Sequence, residues 1–106
     1  MINSVIQPYL PGVREILKKH KIKNAYAFGS VLSEKFNDDS DIDLLINFLD
    51  YSNPLKVGQS IWDLEDELEI LTSRKIDLLT ERSLKNPYFI KELDATKQLI
   101  YEYSGE

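Results

Sequence analysis

Residues 41–48, DIDLLINF, constrain the fold of this chain more than any other segment. Apolar side chains recur there at every second position, at Ile42, Leu44, Ile46 and Phe48. A period of two predicts a β-strand with one buried face, which places Asp41 and Asp43 together on the opposite face. A strand of this kind cannot bury its apolar face alone, so the segment predicts a sheet covered by helices.

The rest of the sequence supplies the partners of this strand. Helical patterns predict helices at residues 11–20, 30–35 (a short one), 54–71 and from Pro87 onward. Alternating patterns predict strands at residues 24–28, 41–48 and 75–80, so that helices and strands alternate along the chain. The closing helix is predicted to continue through Ile100. A length of 106 residues fits one domain. We therefore expect residues 1–106 to form a single domain of the α/β (α+β) class, a small mixed β-sheet flanked by helices.

Composition excludes several kinds of site. The chain has no cysteine and a single histidine, His20, which excludes disulfides, zinc–thiolate sites, cysteine nucleophiles and sites that need two histidines. Its net charge of −5 argues against direct nucleic-acid binding, because contacts to phosphates supply most of that affinity. No apolar run approaches the length of a membrane span, which is about 20 residues. The first residues do not have the pattern of a secretory signal. We expect a cytoplasmic protein in which His20 marks an exposed helix end.

Three acidic residues indicate a metal site. Asp41 and Asp43 share one face of their strand, and Asp77 repeats the pattern between Ile76 and Leu78 of the third strand. If these two strands are neighbours, the three carboxylates meet on one surface. Like charges at that distance repel unless a cation lies between them, and Mg²⁺ suits carboxylates and substrate phosphates. Three carboxylates are typical of a two-metal phosphoryl-transfer site.

Gly29 and Ser30 add a feature that suits phosphate. They follow the first predicted strand and precede a predicted helical turn. Backbone N–H groups and a hydroxyl at such a position can bind an anion, and glycine lets the ligand approach the backbone closely. A phosphate site beside a carboxylate site predicts a nucleoside triphosphate as substrate, together with Mg²⁺.

The segment FGSVLSEKFNDDSDIDLLINF resembles the signature of the polymerase-β-type nucleotidyltransferase superfamily, and the short chain is most similar to its minimal, MntA-like members. The tail NPYFIKELDATKQLIYE also resembles the closing helix of that group. The resemblance implies a polymerase-β-like fold in which Gly29 and Ser30 hold the triphosphate of ATP. It further implies that Asp41 and Asp43 bind two Mg²⁺ ions. Asp77 would be the third catalytic carboxylate, binding one of those ions and helping to deprotonate the acceptor.

The resemblance also implies a protein partner. Minimal nucleotidyltransferases are commonly paired with a HEPN-domain ribonuclease toxin, which they neutralise by binding it and by transferring AMP from ATP to one of its tyrosines. We therefore expect a protein adenylyltransferase that acts as an antitoxin, in a hetero-oligomer with such a toxin. Two alternatives stay open: an antitoxin that acts by occlusion alone, and an enzyme with a small-molecule acceptor of the antibiotic type.

Two features of the sequence motivate these alternatives. Ser33 and Glu34 stand where many family members have Arg and Gly, so the triphosphate needs another cation, from Lys35 or from the basic segment 18–23. A cationic small-molecule acceptor needs an acidic pocket, which the acidic cluster 63–69 could line, although a solvated helix face is the simpler explanation of such a run. Trp62, beside this cluster, is expected in the core or at a partner interface.

Overall fold

The computed structural model of this chain describes residue 2 and residues 4–105. The described part forms a four-stranded sheet, three α-helices and three short 3-10 helices. The α-helices are α1 (Leu10–Lys19), α2 (Pro54–Thr72) and α3 (Pro87–Thr96). The strands are β1 (Ile22–Phe28), β2 (Ile42–Phe48), β3 (Ile76–Thr80) and β4 (Gln98–Glu102). The 3-10 helices are Gln7–Tyr9, Gly29–Leu32 and Glu81–Ser83.

The strands lie in the order β3-β2-β1-β4. β1 is antiparallel to both of its neighbours, β2 and β4, while β2 and β3 are parallel. A parallel pair needs a crossover connection, and α2 supplies it. Asn53 caps the first turn of α2 by accepting the Lys56 N–H, and Ser73 ends the helix in the left-handed conformation at φ 56°. The prediction of a mixed sheet is confirmed, and the two strands that carry the acidic residues are direct neighbours.

The main core lies between one face of the sheet and helices α1 and α2. All four alternating apolar residues of β2 belong to it, as predicted. The helices contribute Val13 and Leu17 of α1 and Leu64 and Leu68 of α2. The opposite face of the sheet carries a smaller cluster that α3 covers, formed by Phe28, Leu45 and Leu93. Because side chains alternate along a strand, Asp43 of β2 lies on this α3 side of the sheet.

The C-terminal strand β4 overturns the prediction of a closing helix that continues through Ile100. α3 ends at Thr96; the Lys97 N–H still donates to the Leu93 carbonyl, but Lys97 itself has extended backbone (φ −60°, ψ 147°). Residues 98–102 pair with β1, and Ile100 enters the main core. Leu93 and Ile100 are seven residues apart, which fits two helical turns as well as a helix followed by a strand. The edge of β1 decides between them, because its backbone groups need hydrogen-bonding partners.

The other predicted elements are confirmed within a few residues. β1 begins two residues earlier than predicted, at Ile22, and the predicted helical turns at 30–35 are the 3-10 helix Gly29–Leu32. α1 ends at Lys19 with His20 as its C-cap. Within the described part of the chain, no helix combines the length and the apolar character needed to cross a membrane.

Candidate active site

The parallel pairing of β2 and β3 brings two of the predicted acids together. Asp43 of β2 lies opposite Asp77 of β3 in the register of the two strands, next to the pair Ile42–Ile76. Ile42 and Ile76 both lie in the main core, so the alternation of a strand turns both carboxylates to the α3 side of the sheet. Asp41 directly precedes β2 and is half-buried.

The Asp43 carboxylate lies in an environment that disfavours its charge. Partial burial raises the pKa of Asp43 above its usual 3.8, and the charges of Asp77 and then Asp41 raise this pKa further. A hydrogen bond with the Asp77 side chain acts in the same direction. The site therefore concentrates negative charge that a proton or a cation must offset.

Gly29 lies directly against this carboxylate. Phe28, the last residue of β1, pairs with Asp43, and Gly29 follows at φ 76°, in the left-handed region that favours glycine. A Cβ built on Gly29 would lie 2.7 Å from the Asp43 Oδ2, closer than real side chains approach. Ser30 is half-buried in the 3-10 helix that begins here, and its carbonyl accepts the Ser33 N–H (2.9 Å). The predicted phosphate site and the predicted carboxylate site are thus in contact.

The acids suit a hard divalent cation by their chemistry. Their donor atoms are all carboxylate oxygens, which Mg²⁺ prefers, and the raised pKa of Asp43 reflects a surplus of negative charge. Among residue 2 and residues 4–105, no group of three or more His, Cys, Asp or Glu side chains is close enough together to hold a metal ion. Asp43 and Asp77 form the close pair, and Asp41 acts on Asp43 through its charge. That all three acids bind metal stays a prediction.

Sequence reasoning missed Arg74, which fixes the loop before Asp41. The Arg74 Nη1 donates to the carbonyls of Asn37 (2.6 Å) and Ser40 (3.1 Å). Its guanidinium lies 4.4 Å from the centre of the Phe36 ring, and its side chain is only 11% exposed. Arg74 thereby determines how the chain enters β2. Its partners are 34 or more positions away in the sequence, so no local pattern marks it.

A cavity of about 600 Å³ opens beside Gly29, between the 3-10 helix Gly29–Leu32 and α3. The rings of Phe28 and Phe89 meet edge to face in its wall, with centroids 6.4 Å apart. The other lining residues are Leu32, Ser33, Glu92, Leu93 and Thr96. A cavity of this volume accommodates a small-molecule ligand. The sequence indicated Phe89 only as part of a helical stripe, because nothing local shows that α3 lies across from Gly29.

The basic segment 18–23 lies far from this site. The Lys21 carbonyl accepts the Leu49 N–H at the start of β1, and β1 then runs about 20 Å to Gly29 at 3.3 Å per residue. The segment is therefore too distant to replace the missing arginine at the triphosphate. Lys35 is exposed just after the 3-10 helix, with its backbone N–H donating to the Ser33 Oγ (3.0 Å).

The structure also bears on the expectations for His20 and for the acidic cluster 63–69. His20 ends α1 as expected, but its side chain is only 14% exposed because it contacts the Glu67 carboxylate (Nε2 to Oε2, 2.5 Å). The acidic cluster 63–69 lies on α2 and contributes no residue to the wall of the cavity beside Gly29. An acidic pocket formed by this cluster for a cationic small molecule stays a prediction.

A mixed sheet whose first strand is followed directly by Gly-Ser, and whose neighbouring strands carry paired aspartates, is typical of a nucleotidyltransferase of the polymerase-β type. The chain belongs to this family, because the family model described as "Polymerase beta, Nucleotidyltransferase" matches residues 12–106. The prediction of a nucleotidyltransferase is confirmed at this level.

Relatives align over most of the chain. A candidate protein adenylyltransferase of Methanocaldococcus jannaschii is 38% identical over 100 residues, which cover 87% of this chain and 96% of the relative. The protein adenylyltransferase MntA of Thermococcus cleftensis is 30% identical over 73 residues, which cover 69% of this chain and 70% of MntA. The predicted similarity to MntA-like proteins is confirmed.

Solved structures share the fold. A candidate minimal nucleotidyltransferase matches with a TM-score of 0.69 at 25% identity, over 92% of this chain and 94% of that one. A chain of a toxin–antitoxin structure with AMP-PNP matches with a TM-score of 0.70 at 18% identity, over 90% of this chain and 74% of that one. A chain from a complex of tri-AMPylated Shewanella oneidensis HEPN toxin with MNT antitoxin matches with a TM-score of 0.64 at 18% identity, over 92% and 72% of the two chains. The predicted polymerase-β-like fold is confirmed.

Proposed function

We propose that this chain transfers AMP from ATP to a hydroxyl group of a protein acceptor, and that the acceptor is a HEPN-domain toxin for which the chain is the antitoxin. In this proposal Gly29 and Ser30 bind the triphosphate, and the cavity beside Gly29 takes the nucleoside. Asp41, Asp43 and Asp77 hold Mg²⁺, as one or two ions, next to the triphosphate.

The contact between Gly29 and the Asp43–Asp77 pair carries this proposal. Gly29 has no side chain and lies so close to the Asp43 Oδ2 that an added Cβ would collide with it. Its exposed backbone is therefore next to carboxylate oxygens, the ligands that Mg²⁺ prefers. A polyphosphate bound at that backbone adds negative charge to a site that is already crowded with it. Only a cation between the two makes such binding favourable, which is the charge arrangement of metal-assisted phosphoryl transfer.

The reaction exchanges one phosphorus–oxygen bond for another. The acceptor oxygen attacks the α-phosphorus of ATP and forms a new bond to it, while the bond from that phosphorus to the bridging oxygen breaks and pyrophosphate leaves. Asp77 accepts the proton of the acceptor hydroxyl. Gly29 and Ser30 hold the triphosphate so that attack and departure are in line, which is the main contribution a protein makes to such reactions. Mg²⁺, when bound, offsets the charge on the triphosphate and on the leaving pyrophosphate.

The relatives support a protein as the acceptor. MntA of Thermococcus cleftensis is named a protein adenylyltransferase, and the toxin of the Shewanella oneidensis complex is described as tri-AMPylated. The direction of transfer, from this chain to a HEPN partner, is part of the proposal.

Occlusion without transfer is the second candidate. Ser33 and Glu34 stand where the family resemblance leads us to expect Arg and Gly, and the distant segment 18–23 cannot replace that charge. A site with weak affinity for triphosphate would still leave a protein that binds its toxin.

A labelled-ATP assay tests the proposal. The chain is incubated with Mg²⁺, ATP labelled at the α-phosphate, and the product of the adjacent reading frame, which this proposal expects to be a HEPN-domain protein. We expect label on the HEPN protein, and no label with Asp43→Asn. Glu15→Gln, which removes an exposed carboxylate on α1, is the matched control. A stable complex in which no label is transferred favours occlusion, and equal labelling by Asp43→Asn rejects the assigned site.

A further inference from the structure

The outer face of α2 carries large apolar side chains in solvent. Leu55 is 87% exposed, Trp62 is 69% exposed and Ile70 is 82% exposed. Their spacings of seven and eight residues place them on one side of the helix, opposite the buried Leu64 and Leu68. We call these three residues the apolar strip; large exposed apolar side chains that share one side of a helix mark an interaction site more often than residues scattered singly do.

A groove runs beside this strip, between α2 and the edge strand β3. Its volume is about 440 Å³, and the α2 side of its wall consists of Pro54, Val57, Gly58 and Ile61. Thr80 and Arg82 form the other side, and the Arg82 guanidinium lies 4.2 Å from the centre of the Tyr51 ring. A Cβ added to Gly58 would meet no atom within 4 Å. The missing side chain at residue 58 therefore leaves the groove open.

The groove lies beside β3, the strand that carries Asp77. Only three residues, 73–75, join α2 to β3, so the strand runs back along the helix. Thr80 at the groove is three positions from Asp77, about 10 Å along the strand. The Ile76 N–H donates to the Glu69 Oε2 (3.2 Å) and ties the far end of α2 to the strand. Thr80 faces α2 and Asp77 faces the α3 side of the sheet, so a segment lying along the groove reaches the acid pair by passing around the edge strand β3.

The part of α2 that follows Gly58 is acidic, whereas Lys56 and Arg82 lie near the other end of the groove. From Gly58 to Ser73 the sequence has five acidic residues and no basic one. The pKa of Glu65 is raised, first by burial and then by the charges of Glu69, Asp77 and Asp66, with Lys75 acting in the opposite direction. The negative field of α2 is therefore continuous with that of the acid pair, and it favours a partner with basic groups.

We propose that the outer face of α2, with the groove between α2 and β3, is the docking surface for the protein acceptor. We call it the acceptor surface, and define it by Leu55, Gly58, Trp62, Asp66 and Ile70. The charge specifies its occupant: a segment of the acceptor protein with an apolar anchor flanked by Lys or Arg, lying along the edge of β3. The inference rests on the proposed function, because it assigns the surface to the protein that receives AMP.

Binding and transfer are measured separately to test this. Affinity for the neighbouring HEPN-domain protein is measured by calorimetry in the Asp43→Asn background, where no chemistry takes place. We expect Trp62→Ala to weaken binding about 30-fold, the size of an interface hot spot. Gly58→Gln fills the groove with a better helix former, so we expect weaker binding with no loss of thermal stability. Tyr88→Ala removes an aromatic side chain of 83% exposure from α3 and should leave affinity unchanged.

The outcomes separate this inference from the proposed function. Weaker binding by both α2 variants supports the inference even if no label is ever transferred. Unchanged binding by both, with transfer intact, overturns the inference and leaves the proposed function standing. No binding by the unaltered chain overturns both. If sedimentation shows that Trp62→Ala dissociates a dimer of this chain while HEPN affinity is unchanged, the surface joins two copies and the inference is wrong.

Discussion

Asp43 and Asp77 occupy equivalent positions on parallel neighbouring strands, and the charge of Asp77 helps to raise the pKa of the Asp43 carboxyl. Asp43 is held there by main-chain pairing on both sides, since β2 lies between β1 and β3. The repulsion within the pair is therefore not relieved by movement of the strands. A bound cation is the simplest way to relieve it.

Mg²⁺ should stabilise the folded chain through this pair. A ligand that binds only the folded state adds about 1.4 kcal/mol at ten times its dissociation constant, which raises the Tm of a domain of this size by several degrees. We expect this rise for the unaltered chain and for Asp66→Asn in thermal unfolding with and without Mg²⁺. Asp43→Asn and Asp77→Asn should show little or none. An equal rise in all four proteins would place the metal elsewhere.

Gly29→Ala should disable the site. The new Cβ strains the backbone at φ 76° and collides with the Asp43 Oδ2, so we expect a loss of about 1 kcal/mol or more in unfolding free energy. Displacement of the carboxylate by a fraction of an ångström should lower AMP transfer about 100-fold. Gly58→Ala is the matched control for stability, because its Cβ meets open space inside α2 and alanine favours the helix. Comparable loss of stability in both variants would contradict the assigned strain.

Arg74→Ala should lower activity by releasing the loop before Asp41. It leaves the Asn37 and Ser40 carbonyls without this donor and uncovers Phe36, and we expect a loss of about 1–3 kcal/mol in urea unfolding. Transfer per folded molecule should also fall. Arg14→Ala is the control, because the Arg14 Nε donates to the Ile100 carbonyl (2.8 Å) between α1 and β4. If both variants lose stability but keep full transfer, Arg74 has no positioning role.

Phe89→Ala should weaken ATP binding if the nucleoside occupies the cavity beside Gly29. Loss of an aromatic ring that stacks on a base costs about 1–3 kcal/mol, so we expect roughly a tenfold rise in the KM for ATP with a smaller change in kcat. Tyr88→Ala, one position away and more exposed, should behave like the unaltered chain. An unchanged KM for ATP in Phe89→Ala would move the nucleoside out of this cavity.

Glu67 should make the free energy of unfolding depend on pH. Hydrogen bonds from Lys19 and then His20 lower the pKa of Glu67 below its usual 4.5, against a small opposing effect of burial. Since the folded state binds this proton less readily than the unfolded state, the stabilisation is complete above pH 4.5 and is lost as pH falls through the lowered pKa. Glu67→Gln should flatten this part of the stability–pH profile in urea titrations. An unchanged slope would show that the contact is too solvated to matter.

The sequence located most elements because their signals are local. The alternation in β2 and the helical period of α2 each specify a buried face without reference to the rest of the chain. β4 lacks such a signal, since Leu99, Ile100 and Tyr101 fit either a strand or the end of a helix. Its conformation depends on the unpaired edge of β1, more than 70 positions earlier in the sequence.

The candidate site was also predictable only where its signal is local in the sequence. The residue types and spacings of Gly29, Asp41, Asp43 and Asp77 are readable from the sequence, because a strand puts alternate residues on one face whatever surrounds it. The meeting of Asp43 and Asp77 depended on β2 and β3 being neighbours, which only the tertiary structure decided. It also placed Arg74 under the loop before Asp41, and Phe89 across the cavity from Gly29. Strand periodicity is a property of the local backbone, whereas strand order and side-chain contacts between distant residues depend on how the whole chain buries its apolar surface.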